Sequence, residues 1–469
     1  MPVLRQAPAR QHSKMPMLKK LFWAYFLLLI FEGALRKWIV PGLSAPLLLI
    51  RDPLGLLILI EAFRTYKWPD KWSGVAGFLA VAVLSLCAVQ LIVLSNPWAA
   101  ALYGVRSYLL AFPVAFVMGE NLTAEDLRKF GLCTLWILLP MTALEVAQYM
   151  APPSSFLNKG AYEGGGQLYY VATHSRASGT FSFVAGPTNY VPLAAAFILY
   201  GLLNERIAKK WLLWAATGAA FLSIPMIGAR TVVFELAGVV ACMGVAALLG
   251  ATQLTKVFKI VAPVMAVFLL VSLLPIFSRA ALSFEARFTE ANQIEGGSAR
   301  QAVANRAFVP LEYQLENADY SKNPVGIGMG RGAAAISKLM SGEVTFVTGE
   351  GELGRVMTEL GPIPGVSFML FRLLLAVFLL VQALAAARKH EPLALLLAPL
   401  TVTSVVFSVC EQPTEQGFLV IGIAFTLAAL KLPKRKTLAT PARNLRRMPV
   451  RYSMRKPGQT DPDAGNSLA

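Results

Sequence analysis

Charged residues are scarce in this sequence: 15% of its 469 residues are Asp, Glu, Lys or Arg, against roughly a quarter in average soluble proteins. That deficit argues against a large soluble core wrapped in a charged surface. Cysteine is scarcer still. Cys87, Cys133, Cys242 and Cys410 stand far apart inside apolar runs, with no Cys-x-x-Cys or Cys/His spacing. No metal site is expected from them, and the four read as small buried hydrophobes. No internal repeat emerges. The first apolar run lacks a small-residue cleavage site and continues into FEGALRKW, so no cleaved leader is expected.

What the sequence has in quantity is apolar residues. They make up 56% of the chain, mean hydropathy is +0.57, and apolar runs of membrane-spanning length recur. A transmembrane helix needs about twenty consecutive apolar residues. The expected fold class is therefore all-α: a polytopic helical membrane protein. The strands of a β-barrel would show instead as short alternating segments. Twelve spans are expected, at about 18–39, 45–63, 73–94, 98–118, 130–150, 187–203, 211–228, 231–250, 257–277, 361–384, 392–410 and 415–431. One transmembrane domain, 18–431, then lies between a polar lead, 1–17, and a basic tail, 432–469. Both flanks have the composition of disordered segments.

The placement of charge orients the spans. A formal charge of +17 would suggest nucleic acid in a soluble chain. Here ten of the 43 Lys and Arg lie from Lys431 onward, and Arg5, Arg10, Lys14, Lys19 and Lys20 lie at the other end. Between Arg279 and Glu352, seven basic residues face nine acidic ones. The excess is terminal, as expected of cytoplasmic ends, so membrane lipids and not nucleic acid are the expected partners. Alternate short loops agree. They hold Arg64, Lys67 and Lys71; Arg128 and Lys129; Arg206, Lys209 and Lys210; Lys256 and Lys259; Arg388 and Lys389, while SNPW and EQPTEQG hold no basic residue. Both termini are expected to be cytoplasmic, with the large loop 278–360 and the smaller loop 151–186 on the extracytoplasmic side. The tail reads as a solvated anchor, contact with anionic lipid being the alternative.

Charge inside a membrane is costly and usually functional. Arg51, Arg106, Glu145, Arg230, Glu235 and Arg372 lie in or at the edges of expected spans. Internal pairing is the favoured reading for Arg51 (with Asp52 or Glu32), Arg106 and Arg372. Arg230 has Glu235 about a turn away, yet it differs from the others. Gly228-Ala229-Arg230-Thr231 must turn between two spans at the outer face, where the phosphate of a lipid-linked substrate would lie. The planar fork of an arginine donates two hydrogen bonds to a phosphate while staying charged.

In the long loop, Gly326-Ile327-Gly328-Met329-Gly330-Arg331-Gly332 resembles a phosphate loop. No Lys-Ser/Thr follows it, and nucleoside triphosphates are scarce outside the cell, so a nucleotide site is not expected. Two readings stay open: a tight turn packing the loop onto the spans, or backbone amides and Arg331 beside an anionic substrate. Arg300 and Arg306 stand in a stretch that reads as a helix. Arg176 lies in the other outer loop, near His174, which reads as an ordinary loop histidine. Glu350, Glu352 and Glu359 approach or open the tenth span. A carboxylate there can take a proton from a sugar hydroxyl as it attacks; the alternative is solvated charge at a membrane interface.

This layout, with RASGTF, the GART turn, NPVGIGMGRG and the approach to the tenth span, resembles the O-antigen ligase and O-antigen polymerase family. These are bacterial membrane proteins that act on polyprenyl-diphosphate-linked glycans. FEGALRKW with LLLIRDP resembles its exopolysaccharide-associated members. The resemblance implies a multi-pass glycosyltransferase of the bacterial cytoplasmic membrane, needing no metal or other cofactor. Its donor would be a polyprenyl-diphosphate-linked oligosaccharide, and other polysaccharide assembly and export proteins would be its companions. Arg230 matches the family's turn arginine, and Arg300, with Arg306 as rival, matches the arginine that opens the long-loop helix. With Arg176 and Arg331 these form the candidate diphosphate-binding set. Where the ligase pattern has a histidine before the late span, this chain has Glu350-Gly351. Glu350 becomes the candidate catalytic base, and polymerisation of repeat units is favoured over ligase-type transfer. A flippase or other transporter of the lipid-linked glycan is the main rival, although transporters tend to show repeats and interrupted helices around a midplane site. A non-catalytic subunit of an export complex is the second rival.

Overall fold

A computed structural model describes residues 16–161, 170–171, 174–204, 207–294, 324–333, 336 and 351–432. Helices dominate them. In chain order the longer ones are α1 (Met17–Ala34), α2 (Arg51–Arg64), α3 (Asp70–Val93), α4 (Trp98–Asn121), α5 (Ala124–Met150), α6 (Ala185–Asn204) and α7 (Lys210–Ile227). There follow α8 (Arg230–Leu248), α9 (Leu254–Ser272), α10 (Pro275–Ile294), α11 (Glu352–Leu360), α12 (Pro362–Arg388), α13 (Leu393–Phe407) and α14 (Pro413–Leu430). The sheet among the described residues is a two-stranded hairpin, Tyr170–Val171 antiparallel to His174–Ser175.

Among the described residues eight helices, α3, α4, α5, α7, α8, α9, α12 and α14, are long and apolar enough to cross a membrane. This is the helix content of a multi-pass membrane protein. The other four expected spans fall on α1, α2, α6 and α13, which are 18, 14, 20 and 15 residues long. The expected polar loop from 278 opens as helix, since α10 runs from Pro275 to Ile294. Its Ala280 is buried with Tyr149, Ala177 and Met226, a contact that its polar composition does not announce.

Local chemistry sets several helix ends. At the start of α5, Thr123 Oγ1 accepts from the Asp126 amide at 3.3 Å, and the Asp126 carboxylate accepts from the Thr123 amide at 2.9 Å. This reciprocal box satisfies amides that the first turn leaves without partners. α7 stops at Gly228, whose left-handed φ of 62° closes a helix at no Cβ cost. Two helices also contain a π turn: Leu35–Ile39 continues α1, and Arg106–Leu110 lies within α4. Such turns are rare, and they recur at functional sites.

The core lies around α4 and α14, where 72% and 78% of the most apolar window is buried, against 11% for α9. Phe130 joins α5 to this core, stacking on Trp23 with ring centroids 4.0 Å apart and meeting Phe425 of α14 at 5.3 Å. A helix as apolar as α9 with so little buried carries an apolar surface fit for lipid.

Polar contacts sort the connections into two ends of the bundle. At one, Lys19 bonds Asp126 at 2.5 Å, Asn121 Nδ2 donates to Lys67 O at 2.8 Å, and Lys431 Nζ donates to Glu120 O at 2.6 Å. Two of the short connections that carry basic residues, 64–71 and 120–129, meet here beside Lys19 and Lys431, and they make the basic end. At the other, the loop end, residues 174–184 and 324–333 pack onto the helix termini.

Candidate functional site

Residues 174–184 are held on three sides. From the π turn after α1, Lys37 Nζ donates to Ser178 Oγ and to Gly179 O, each at 2.9 Å. Arg36 Nη1 donates to Ser182 Oγ at 2.9 Å. From α5, Gln148 Oε1 accepts from the amides of Ser178 (3.1 Å) and Gly179 (2.8 Å), while Gln148 Nε2 donates to Gly179 O at 3.1 Å. A loop whose backbone groups are bonded in this way is a rigid platform rather than a free connection.

The third side brings two sequence candidates together. Arg176 Nε donates to Ile227 O at 3.0 Å, and the Ala177 amide donates to Met226 O at 3.0 Å. The RASGTF stretch thus lies against the Gly228 turn, with the Arg176 side chain 3.5 Å from where a Cβ on Gly228 would stand. Arg230 opens α8 two residues later, and the helix has no side-chain cap at Ala229. Beside this turn the His174 ring stacks on Tyr149, with centroids 4.5 Å apart and planes 10° from parallel. Tyr149 Oη is 3.1 Å from Ser283 Oγ on α10. His174 is therefore more than a loose loop histidine. Beneath Gly179, one turn before Tyr149 on α5, Glu145 is fully buried, and neither carboxylate oxygen has a hydrogen-bond partner among the described residues.

The glycine-rich run has a different role. The fully buried Glu359 of α11 accepts from the Gly330 amide (3.1 Å) and the Gly332 amide (2.8 Å), and from Tyr108 Oη (2.6 Å). Gln90 of α3 adds a clamp, donating through Nε2 to Val325 O (2.7 Å) and accepting from the Met329 amide (2.8 Å). Gly330 has φ 78° and lies so close to Ala100 O and Gly104 on α4 that a Cβ would collide with both. The amides that would cradle a phosphate are occupied by a carboxylate of the chain itself. Of the two open readings, the turn packed on the spans is the one seen. Arg331 Nε donates to Asn96 Oδ1 at 2.9 Å, so this candidate is tied to the end of α3.

The acids of α11 also differ from solvated interface charges. Arg355 stands between Glu352 and Glu359, bonding Glu352 Oε2 through Nε at 3.0 Å and Glu359 Oε2 through Nη1 at 3.1 Å. Arg372 of α12 bonds Glu352 through Nη1, Val405 O through Nε at 2.6 Å and Ser408 O through Nη2 at 2.7 Å. Both glutamates are internal ion-pair partners. The expected pairings elsewhere resolve in kind: Arg51 pairs with Glu32, not with its neighbour Asp52, and Asp52 pairs with Arg106. Glu235 accepts from Thr403 Oγ1 at 2.7 Å. Glu350, Arg300 and Arg306 lie outside the described residues.

Several anchoring residues were not singled out as site candidates: Lys37, Gln90, Asn96 and Gln148. Each is a lone polar residue whose partner is far away in the chain, so local pattern carries no signal for it. The Glu352, Arg355, Glu359 spacing is the exception, because residues three and four apart share a helix face. No protein-family model matches this chain, and no curated protein matches it.

Proposed function

We propose that this chain is a membrane glycosyltransferase that polymerises polyprenyl-diphosphate-linked oligosaccharide repeat units at the outer face of a bacterial cytoplasmic membrane. In this reading α1, α2, α6 and α13 complete twelve spans, both termini are cytoplasmic, and the loop end is extracytoplasmic. The clustering of Lys19, Lys67 and Lys431 at the opposite end supports that orientation.

The observation that carries the reading is the seating of Arg176 on the Ile227–Gly228 turn that leads into Arg230. Two arginines from loops far apart in sequence flank the start of an uncapped helix, where the helix's own amides and dipole favour an anion. A lipid diphosphate is such an anion. The acceptor sugar's hydroxyl attacks the anomeric carbon of the donor glycan. The C–O bond to the diphosphate breaks, its electron pair leaves with the phosphate oxygen, and the guanidinium groups offset the charge that develops. Electrostatic stabilisation of this kind is worth about 3 kcal/mol per well-placed donor. Glu350 takes the hydroxyl proton. The products are a longer glycan on one lipid carrier and a free polyprenyl diphosphate.

The purified protein in detergent, given lipid-linked repeat units, is expected to produce longer glycans without any membrane barrier. Arg230→Ala and Glu350→Gln are each expected to stop that elongation while the protein still folds and inserts. Normal chain length in both variants would overturn the site assignment. Failure of the unaltered protein to elongate would overturn the polymerase reading itself and favour a transporter.

A further inference from the structure

Two exposed apolar stripes end beside one short turn at the loop end. On α5 the exposed residues Trp136, Pro140, Ala143 and Met150 recur three, four or seven apart, so they share one face. On α1 Leu27 and Phe31 are exposed, and the half-buried Trp38 stands seven residues after Phe31. Trp38 also lies 19 residues beyond Lys19, which marks the basic end. At a helical rise of about 1.5 Å per residue that is roughly 28 Å, close to the thickness of a bilayer's hydrocarbon core. Trp38 therefore stands at the far boundary of that core, the level at which tryptophan rings collect.

The turn, residues 152–159, is fastened to both helix ends. The buried Asn158 donates through Nδ2 to Gln148 O at 2.9 Å and to Pro152 O at 3.1 Å, folding the chain back onto the end of α5. Trp38 Nε1 donates to Phe156 O at 3.0 Å, and the two rings lie 6.5 Å apart. Ties from two helices thus hold Phe156 at the level of Trp38. What the turn presents there is an apolar ring with one cation. Phe156 is 56% exposed, and Met150 and Ile39 at the two helix ends are 68% and 67% exposed. Lys159 is exposed, with Nζ 5.2 Å from the centroid of the Phe156 ring. In water the ring would leave its apolar area unburied. In a headgroup layer that area is covered, while the lysine stem lies along apolar surface and its ammonium reaches a phosphate.

We propose that residues 152–159 are an interfacial anchor that docks on the lipid leaflet at the loop end, with Phe156 inserted at the headgroup–acyl boundary and Lys159 paired with a lipid phosphate. Lipid is the occupant because the patch continues the exposed apolar stripes of two helices and its cation complements anionic headgroups. The anchor does not depend on the glycan reading.

The test places the full-length protein in phosphatidylcholine–phosphatidylglycerol nanodiscs, with a nitroxide attached in turn to Phe156→Cys and Lys159→Cys. The unaltered protein, labelled alike, supplies the blank for its four native cysteines. Phe78→Cys, at a 74% exposed position of α3, is the lipid reference, and Glu125→Cys, at a 73% exposed side chain of the basic end, is the aqueous one. Collision with oxygen reports hydrocarbon, and collision with a nickel chelate reports water. The Phe156 label is expected to meet nickel about threefold less often than the Glu125 label, with oxygen collision near that of Phe78. The Lys159 label is expected between Phe156 and Glu125. Nickel access at Phe156 equal to that at Glu125 would put the turn in water and overturn the anchor. Low collision with both reagents would mean that protein covers the patch, and would overturn it as well. A Lys159 label deeper than the Phe156 label would overturn the pairing of the lysine with a headgroup. Trp38→Phe keeps a ring but removes the donor to Phe156 O, and is expected to raise nickel access at Phe156 about twofold. Unchanged access would overturn the tether.

Discussion

Arg355 and Arg372 have all three guanidinium nitrogens bonded, whereas Arg51 and Arg106 each leave Nη2 without an acceptor among the described residues. The two networks are otherwise alike: buried, built on arginine–glutamate or arginine–aspartate pairs, and located at the loop end. Their pairing differs: Arg355 and Arg372 share Glu352, and Arg355 also bonds Glu359, whereas in the second Glu32 meets Arg36 and Arg51 and Asp52 meets Arg106. A balanced and fully bonded network is a brace, since each member satisfies another and nothing is left to bind. The presence of arginine in a membrane span does not by itself distinguish the two; the census of its nitrogens does.

The sharpest way to break this comparison is Glu359→Ala. It leaves the Gly330 and Gly332 amides and the Tyr108 hydroxyl without their carboxylate, and takes from Arg355 one of its two carboxylate partners. Removing one partner of a buried pair costs about 3–5 kcal/mol. A large fall in the thermal midpoint is expected, and an unchanged midpoint would overturn the reading of this network as a brace. Gly330→Val comes next. It places a β-branched residue at φ 78° against Ala100 O and Gly104, a strain of about 1–3 kcal/mol. The expected readout is faster proteolysis within the glycine-rich loop together with a lower midpoint.

Much of the architecture was legible from residues alone, because apolar run length and loop charge are local quantities. The basic residues near Asn121 and Asp126 predicted that these connections share an end, and the contacts of Lys19, the Lys67 carbonyl and Lys431 agree. The site was legible only in pieces. Arg230 stood out because a four-residue turn must bring it to the surface. Arg176 was a candidate, but its seat on Ile227 depends on a contact spanning 51 residues. Glu352 and Glu359 were read either as proton acceptors or as solvated charge, because the sequence shows their helical spacing but not the Arg372 that reaches Glu352 from 20 residues away. The π turns at Leu35–Ile39 and Arg106–Leu110 leave no mark in composition, since one wide turn does not alter the apolar pattern.

The smallest effects belong to the basic end, where the same kind of ion pair is exposed to different degrees. Lys19 meets Asp126 at 2.5 Å with side chains 27% and 10% exposed, and Asp126 is also fixed by the Thr123 capping box. Lys129 meets Glu125 at 2.8 Å across the surface of one helix, with 52% and 73% exposed. An anchored carboxylate loses little further freedom on pairing, while two free side chains offset their attraction with lost rotamers and salt screening. Lys19→Ala is therefore expected to cost about 0.5–1 kcal/mol, and Lys129→Ala to leave the thermal midpoint unchanged. The Lys19→Ala effect should shrink in high salt, which separates it from the loop-end brace, where a buried pair is screened far less. If Lys129→Ala matched Lys19→Ala, anchoring would not be what makes an ion pair count in this protein, and the distinction between braced and unbraced arginines at the loop end would lose its physical basis.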